Sequence, residues 1–114
     1  MKFALVIACL AAVTVRANSG GCVIRTCISV INSGFHVDTI DASVTPGGDF
    51  FGHFRIWGSG FDHNSSEQVW RAGQKYTLRV DRDVPNGSMV CAQGWEHSNG
   101  QFISRGKACE EVRL

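Results

Sequence analysis

Side chains able to perform chemistry are concentrated between Gly52 and Trp70, in the sequence GHFRIWGSGFDHNSSEQVW. This stretch contains His53, Asp62 and His63, with several serines around them. A Ser-His-Asp triad needs these groups within hydrogen-bond distance of one another, together with an oxyanion hole. The chain lacks the G-x-S-x-G pattern that presents a nucleophilic serine at a strand-to-helix turn. We therefore assign no catalytic residues and predict a protein that is not an enzyme.

The histidines also raise the question of a metal site, because imidazole is a common metal ligand. His36 and Asp38 share one face of a predicted strand, and His53 and His63 lie further along the chain. A site built from His36, His53 and His63 would require three separate elements to meet. The sequence contains neither the H-E-x-x-H pattern of zinc peptidases nor an EF-hand calcium loop. We interpret the histidines as exposed or loop residues and expect no metal ion and no cofactor.

The first seventeen residues have the layout of a secretory signal peptide. Lys2 supplies the positive charge, residues 3–15 form a short apolar run, and Val15-Arg16-Ala17 provides small residues before a cleavage position. The run is shorter than the roughly 20 apolar residues that a membrane-spanning helix needs. A buried N-terminal helix is the alternative interpretation. The sequence predicts a signal peptide over residues 1–17, one secreted, extracellular domain over residues 18–114, and no membrane span.

Four cysteines follow the predicted cleavage position: Cys22, Cys27, Cys91 and Cys109. An even number in a small secreted chain is typical of a disulfide framework, here with three possible pairings. We favour Cys22–Cys27 and Cys91–Cys109 because both close short loops, while pairing of the N-terminal cysteines with the C-terminal ones stays open. The spacings of four and seventeen intervening residues do not fit two pairs of zinc ligands.

The balance of charged residues limits the kind of partner that the chain can bind. The chain has 11 Lys and Arg residues and 10 Asp and Glu residues, and removal of Lys2 and Arg16 leaves nine against ten. Nucleic-acid binding needs a clustered positive field, whereas these charges are interspersed, so no nucleic-acid partner is expected.

Asn64 and Asn86 each begin an N-x-S sequon. Both are predicted to be surface positions that receive glycans in a eukaryotic secretory pathway.

Alternation of apolar and polar residues is the main structural pattern of the mature chain, and it is typical of half-buried strands. In FFGHFRIWG, Phe54 and Ile56 fall on one face while His53, Arg55 and Trp57 fall on the other. Similar patterns predict strands over residues 23–31, 35–44, 50–57, 75–81, 88–96 and 102–114.

Turn sequences separate the predicted strands about every ten residues, with Asn32-Ser33-Gly34 and Ser98-Asn99-Gly100 as the clearest examples. The pattern predicts an all-β fold, specifically a small disulfide-bonded antiparallel β-sandwich of six or seven strands. Its architecture would be immunoglobulin-like or fibronectin-like, with a small closed barrel as the alternative.

The candidate binding residues are polar or aromatic side chains on predicted outer faces and in loops: His53, Arg55, Trp57, Asp62, His63, Trp95 and His97. Loops are the usual location of recognition residues, so the segments 58–68 and 97–101 are the first places to look. Counting along a hairpin from a Cys91–Cys109 pair places Trp95 opposite Arg105, which predicts a cation–π contact.

The composition and fold together predict a secreted, disulfide-stabilised binding protein without enzymatic activity. Effectors, toxins and inhibitors are the classes considered, and an extracellular protein is the expected partner. A carbohydrate-binding domain that uses exposed tryptophans is the alternative. A small secreted hydrolase is the third hypothesis, which the lack of a catalytic motif disfavours.

Overall fold

The computed structural model describes residues 16–113, with side chains described from Ser19 onward. The predicted signal peptide therefore lies outside the described residues, except for Arg16 and Ala17, whose backbone begins the first strand. The described residues form nine strands: β1 (Arg16–Val23), β2 (Thr26–Ser33), β3 (His36–Val44), β4 (Phe50–Gly58), β5 (Phe61–Asn64), β6 (Gln68–Trp70), β7 (Lys75–Asp83), β8 (Met89–Ser98) and β9 (Gln101–Glu111).

The strands form two antiparallel sheets that pack face to face. Sheet A has the order β1-β2-β3-β7, and sheet B has the order β5-β4-β8-β9. The short strand β6 pairs with β4 on the same edge as β5. This arrangement confirms the predicted all-β, disulfide-bonded sandwich. Within residues 16–113 there is no helix of the length and apolarity needed to cross a membrane.

The number of strands exceeds the predicted six or seven because β1, β5 and β6 form in segments where no strand was predicted. The predicted strand over residues 23–31 is interrupted by a turn at Ile24 and Arg25, after which β2 begins. Ile24 has a φ of 57°, which a β-branched residue rarely adopts. The segment after Gly58 was expected to be a loop, but it forms β5 and β6 along the edge of β4.

The hydrophobic core lies between the sheets and follows the predicted alternation. In β4, Phe54 and Ile56 are fully buried, and Phe50 packs with them. Trp70 is also buried, and its indole N–H donates to the carbonyl oxygen of Gly52 at 3.1 Å. Burial of a large apolar side chain contributes about 1.5–3 kcal/mol. The core therefore accounts for Trp70 and leaves the outward positions of β4 free for other roles.

Both favoured disulfides are present, and each joins neighbouring strands of one sheet. Cys22–Cys27 links β1 to β2, and Cys91–Cys109 links β8 to β9. In each pair the two cysteines stand directly opposite one another in the strand register. Cys27 alternates with buried residues and lies on the outer face of sheet A, whereas Cys91 stands opposite Trp57 on the outer side of sheet B and is only 7% exposed.

A buried hydroxyl connects the two sheets. Thr26 of β2 is fully buried, and its Oγ1 donates to the carbonyl oxygen of Arg105 at 2.8 Å. The same oxygen accepts a hydrogen bond from the backbone N–H of Gly94 at 3.2 Å. A Cβ added at Gly94 would lie 2.6 Å from this oxygen, so the contact requires glycine. Thr26 thereby fixes the β8–β9 hairpin against sheet A.

An irregularity in the β8–β9 pairing corrects one local prediction. The register shifts between Gln93 and Trp95, which brings Trp95 opposite Ser104 rather than Arg105. Arg105 instead pairs with Glu96 at 2.6 Å, so the predicted contact between Trp95 and Arg105 was wrong. The physical reason is an extra residue in β9 at this point, a β-bulge, which a count along an ideal hairpin does not include.

Candidate binding face

The outer side of sheet B presents a set of aromatic and basic side chains, which we call the aromatic face. The alternation that buries Phe54 and Ile56 turns the odd-numbered residues of β4 outward, and strand pairing brings equivalent residues of β6, β8 and β9 beside them. The aromatic face consists of Phe51, His53, Arg55, Trp57, Val69, Trp95, His97 and Phe102.

One end of the aromatic face is an apolar row that crosses four strands. Val69 stands opposite Phe51, and His97 stands opposite Phe102. The Phe51 and His97 rings meet edge to face at 5.7 Å, and His97 stacks on Phe102 with a centroid distance of 4.3 Å. Phe51 is 46% exposed, Phe102 is 61% exposed and Val69 is 41% exposed. This row is a hydrophobic surface that the sandwich itself does not cover.

Two histidines lie within this end of the face. Nδ1 of His53 is 2.6 Å from Nε2 of His97, and both rings also contact Phe102. The His97 side chain is only 13% exposed, and its Nδ1 lies 3.7 Å from a carboxylate oxygen of Glu67. Burial and the neighbouring His97 lower the pKa of His53. One of the two facing nitrogens carries the hydrogen that the other accepts.

The other end of the aromatic face is polar and held by ion pairing. Arg55 donates two hydrogen bonds to Asp62, at 2.9 and 2.7 Å. This contact lowers the pKa of Asp62 and raises that of Arg55. The Arg55 guanidinium also lies over the Trp57 ring, 4.4 Å from its centroid. Asp62 therefore fixes Arg55, and Arg55 in turn covers one side of Trp57.

The structure brings together most of the candidate residues from the sequence. His53, Arg55, Trp57, Trp95 and His97 share the aromatic face, and Asp62 joins it through Arg55. His63 does not, because it stands opposite Ile56, whose side chain points into the core.

Sequence reasoning missed the apolar row. Phe51 alternates with buried Phe50 and Gly52, and this alternation identifies an outward position from the sequence. Phe102 is the second residue after the Asn99-Gly100 turn, and it stands opposite His97 in the strand pairing. Val69 gave no such indication, because β6 has only three residues and its pairing with β4 is a long-range contact.

The outer side of sheet A has a different character. Asp41, Thr77 and Lys75 occupy neighbouring outward positions, where Thr77 donates to Asp41 at 2.5 Å and Lys75 lies 3.8 Å from the same carboxylate. These groups are polar and mutually satisfied. The contrast between the two outer sides shows that exposed aromatic residues are a property of sheet B and not of the sandwich in general.

His36 lies among carboxylates where β3 pairs with β7 in sheet A. His36 contacts Asp83 at 2.8 Å through Nδ1 and Asp81 at 2.9 Å through Nε2. Hydrogen bonding to Asp83 and then to Asp81 raises the pKa of His36. Beside it, Asp38 and Arg79 line an open depression of about 210 Å³. His36 is thus engaged by carboxylates, and it does not meet His53 or His63.

Within residues 16–113, no group of three or more His, Cys, Asp or Glu side chains is arranged to hold a metal ion. Comparison of the sequence with models of known protein families, with curated proteins and with solved structures finds no match. The functional conclusion therefore depends on the geometry of the aromatic face.

Proposed function

We propose that the protein is a secreted, non-enzymatic binding protein that contacts an extracellular protein through the aromatic face. The observation that supports this most strongly is the exposure of the apolar row of Val69, Phe51 and Phe102 on an otherwise well-packed domain. An exposed apolar patch with a polar border is typical of an interaction site. Here Arg55 and Asp62 form part of that border.

The composition of the face fits a protein partner. Protein interfaces are enriched in aromatic residues and arginine and depleted in lysine. Besides its two histidines, His53 and His97, the aromatic face has four aromatic residues: Phe51, Trp57, Trp95 and Phe102. Its basic residue is Arg55, which is already oriented by Asp62 and loses little further freedom on binding.

The size of the face indicates how much additional surface a partner needs. Four strands about 4.8 Å apart and four rows about 6.8 Å apart cover roughly 14 by 20 Å, or on the order of 300 Å². A stable interface buries about 800 Å² on each partner. The β4–β5 turn and the Asn99-Gly100 turn border the face, and we propose that they supply the remaining contacts.

A carbohydrate partner is disfavoured by the position of the tryptophans. Sugar rings bind by stacking on an open aromatic surface, but Arg55 covers one side of Trp57 and Trp70 is buried in the core. Trp95 remains as a partly exposed ring in the middle of the sheet. A single tryptophan beside His53 offers a smaller platform for a polysaccharide than the apolar row offers for a protein.

Two further features support an extracellular role. Disulfides persist in oxidising compartments, and the described residues contain two of them. Asn64 and Asn86 are exposed, as a glycan requires. Asn64 stands opposite Arg55, so a glycan on Asn64 would cover the polar end of the aromatic face and leave the apolar row open. The effector, toxin and inhibitor classes are all compatible with such a surface.

The test is affinity capture of extracellular proteins by the oxidised protein and by substituted forms. We expect Phe51→Ser and Phe102→Ser to lose the captured protein. Val23→Ser is the matched control, because Val23 is 44% exposed and lies in sheet A, away from the aromatic face. Capture that survives both phenylalanine substitutions, or that fails equally in the control, would contradict the proposal. Retention on insoluble polysaccharides would favour the carbohydrate alternative.

A further inference from the structure

We propose that His53 and His97 form a binding site for a divalent transition-metal ion, with Cu²⁺ preferred. The two imidazole nitrogens that face each other, Nδ1 of His53 and Nε2 of His97, are 2.6 Å apart and belong to adjacent strands of a hydrogen-bonded sheet. Two imidazoles held together in this way present two neighbouring ligand positions to one ion. The site does not depend on the protein partner proposed above.

Two imidazole nitrogens on adjacent strands favour Cu²⁺. Two nitrogens that each lie about 2.0 Å from a metal are roughly 2.8 Å apart at a 90° angle, so nitrogens that meet in a 2.6 Å hydrogen bond can take adjacent positions on one ion after a small separation of the rings. Cu²⁺ and Ni²⁺ adopt square-planar or tetragonal geometry, whereas Zn²⁺ prefers a tetrahedron, and Cu²⁺ binds most tightly in the divalent series.

The proton balance allows binding near neutral pH. In the metal-free pair, one N–H proton lies between Nδ1 of His53 and Nε2 of His97. Metal binding moves this proton to the other nitrogen of the same ring, so that both facing nitrogens provide a lone pair and no proton is lost.

The surroundings hold the rings in place and attract a cation. Phe102 stacks on His97 and contacts His53 edge to face at 5.3 Å, and Phe51 contacts His97 from the other side. These contacts restrict both imidazoles before any ion arrives. The Glu67 carboxylate, close to His97, adds negative charge near the site.

The proposed site has two protein ligands, since no larger group of ligand side chains exists within residues 16–113. Water would complete the coordination of the ion. The other described histidines are unsuited to this role and provide internal controls. His36 is held between Asp81 and Asp83. His63 lies on the side of sheet B opposite to Asp62, and therefore away from the aromatic face.

The experiment is calorimetric titration of the oxidised protein with Cu²⁺, Ni²⁺ and Zn²⁺ at pH 7.5 in a non-coordinating buffer. We expect one equivalent of Cu²⁺ to bind more tightly than Ni²⁺ or Zn²⁺. His53→Gln and His97→Gln should each weaken Cu²⁺ binding by about tenfold or more. His36→Gln and His63→Gln should leave it unchanged.

Electron paramagnetic resonance of the Cu²⁺-loaded, unsubstituted protein provides a second measurement that does not depend on the folding of any variant. We expect an axial spectrum with hyperfine coupling from two imidazole nitrogens. Absence of Cu²⁺ binding, a spectrum without two imidazole ligands, or binding unaffected by His53→Gln and His97→Gln would each overturn the proposal. Loss of binding in the His63→Gln control would do the same, because it would place the ion elsewhere.

Discussion

Replacement of Thr26 by valine tests whether one buried hydroxyl holds the two sheets together. Valine has nearly the same shape as threonine, so the substitution removes hydrogen bonds without leaving a large cavity. Thr26 is fully buried, and its Oγ1 both donates to the Arg105 carbonyl and accepts from the Gly94 N–H. The consequence can therefore be derived from the fate of these two backbone groups.

The two groups are affected differently. The Arg105 carbonyl keeps a partner, because the Arg25 N–H also donates to it at 3.0 Å. The Gly94 N–H faces the hydroxyl of Thr26 from a buried position, so valine leaves this donor unsatisfied. A buried polar group without a partner costs about 1–3 kcal/mol. We expect Thr26→Val to lower the free energy of unfolding by about 2 kcal/mol.

Equilibrium denaturation with guanidinium chloride measures this change, with the disulfides kept oxidised. The midpoint should fall while the slope with denaturant stays constant, because the unfolded surface is unchanged. In a thermal scan, a loss of about 2 kcal/mol corresponds to a decrease in Tm of roughly 10 °C for a domain of this size.

Two controls separate the hydrogen bond from other effects. Thr26→Ser keeps the hydroxyl and should lose only the contribution of one methyl group, about 0.8 kcal/mol. Thr39→Val changes a partly exposed threonine on the outer side of sheet A, opposite Arg79, and should stay within about 0.5 kcal/mol of the parent. If Thr26→Val were as stable as the parent, the proposed connection between the sheets would be refuted.

Three further predictions concern the turn, the charges and the cross-links. Ile24→Gly should stabilise the protein by about 0.5–1 kcal/mol in denaturant unfolding, because glycine relieves a positive φ of 57° at an exposed residue; an unchanged or lower midpoint would contradict this. His36 has a raised pKa when folded, so its stabilising contribution is complete below the unfolded value of about 6.5 and is lost as the pH rises through the folded pKa. The Tm difference between the parent and His36→Gln should therefore shrink from pH 5 to pH 8, and a constant difference would refute the assignment. Serine replacement of the β8–β9 disulfide should destabilise the protein by roughly 1 kcal/mol more than replacement of the β1–β2 disulfide, since the sequence separations are 18 and 5; equal losses in calorimetric scans would argue against a loop-entropy origin.

The fold class could be predicted from the sequence because the patterns that indicate strands and turns involve only residues that are neighbours along the chain. Period-two alternation in FFGHFRIWG separates Phe54 and Ile56 from His53 and Arg55 without any knowledge of neighbouring strands. The Asn99-Gly100 turn was equally visible, and both residues have the positive φ values, 51° and 76°, that this hairpin type needs. The disulfides followed from the count and spacing of the cysteines.

The candidate site was predictable only in part. Alternation placed His53, Arg55 and Trp57 on one face, but it did not indicate which residues of other strands would lie beside them. The bulge in β9 changed the partner of Trp95 by one residue, from Arg105 to Ser104. A single inserted residue has no clear sequence pattern, and its effect appears only when two strands pair.

The sequence by itself determined that the chain forms strands, where most of them turn, and which side of β4 faces outward, because these properties depend on neighbours along the chain. The tertiary structure decided that His53 meets His97, that Val69, Phe51 and Phe102 form one apolar row, and that His63 lies apart. Those relations depend on strand order and register. They are fixed by contacts between residues far apart in the chain, which no local pattern records.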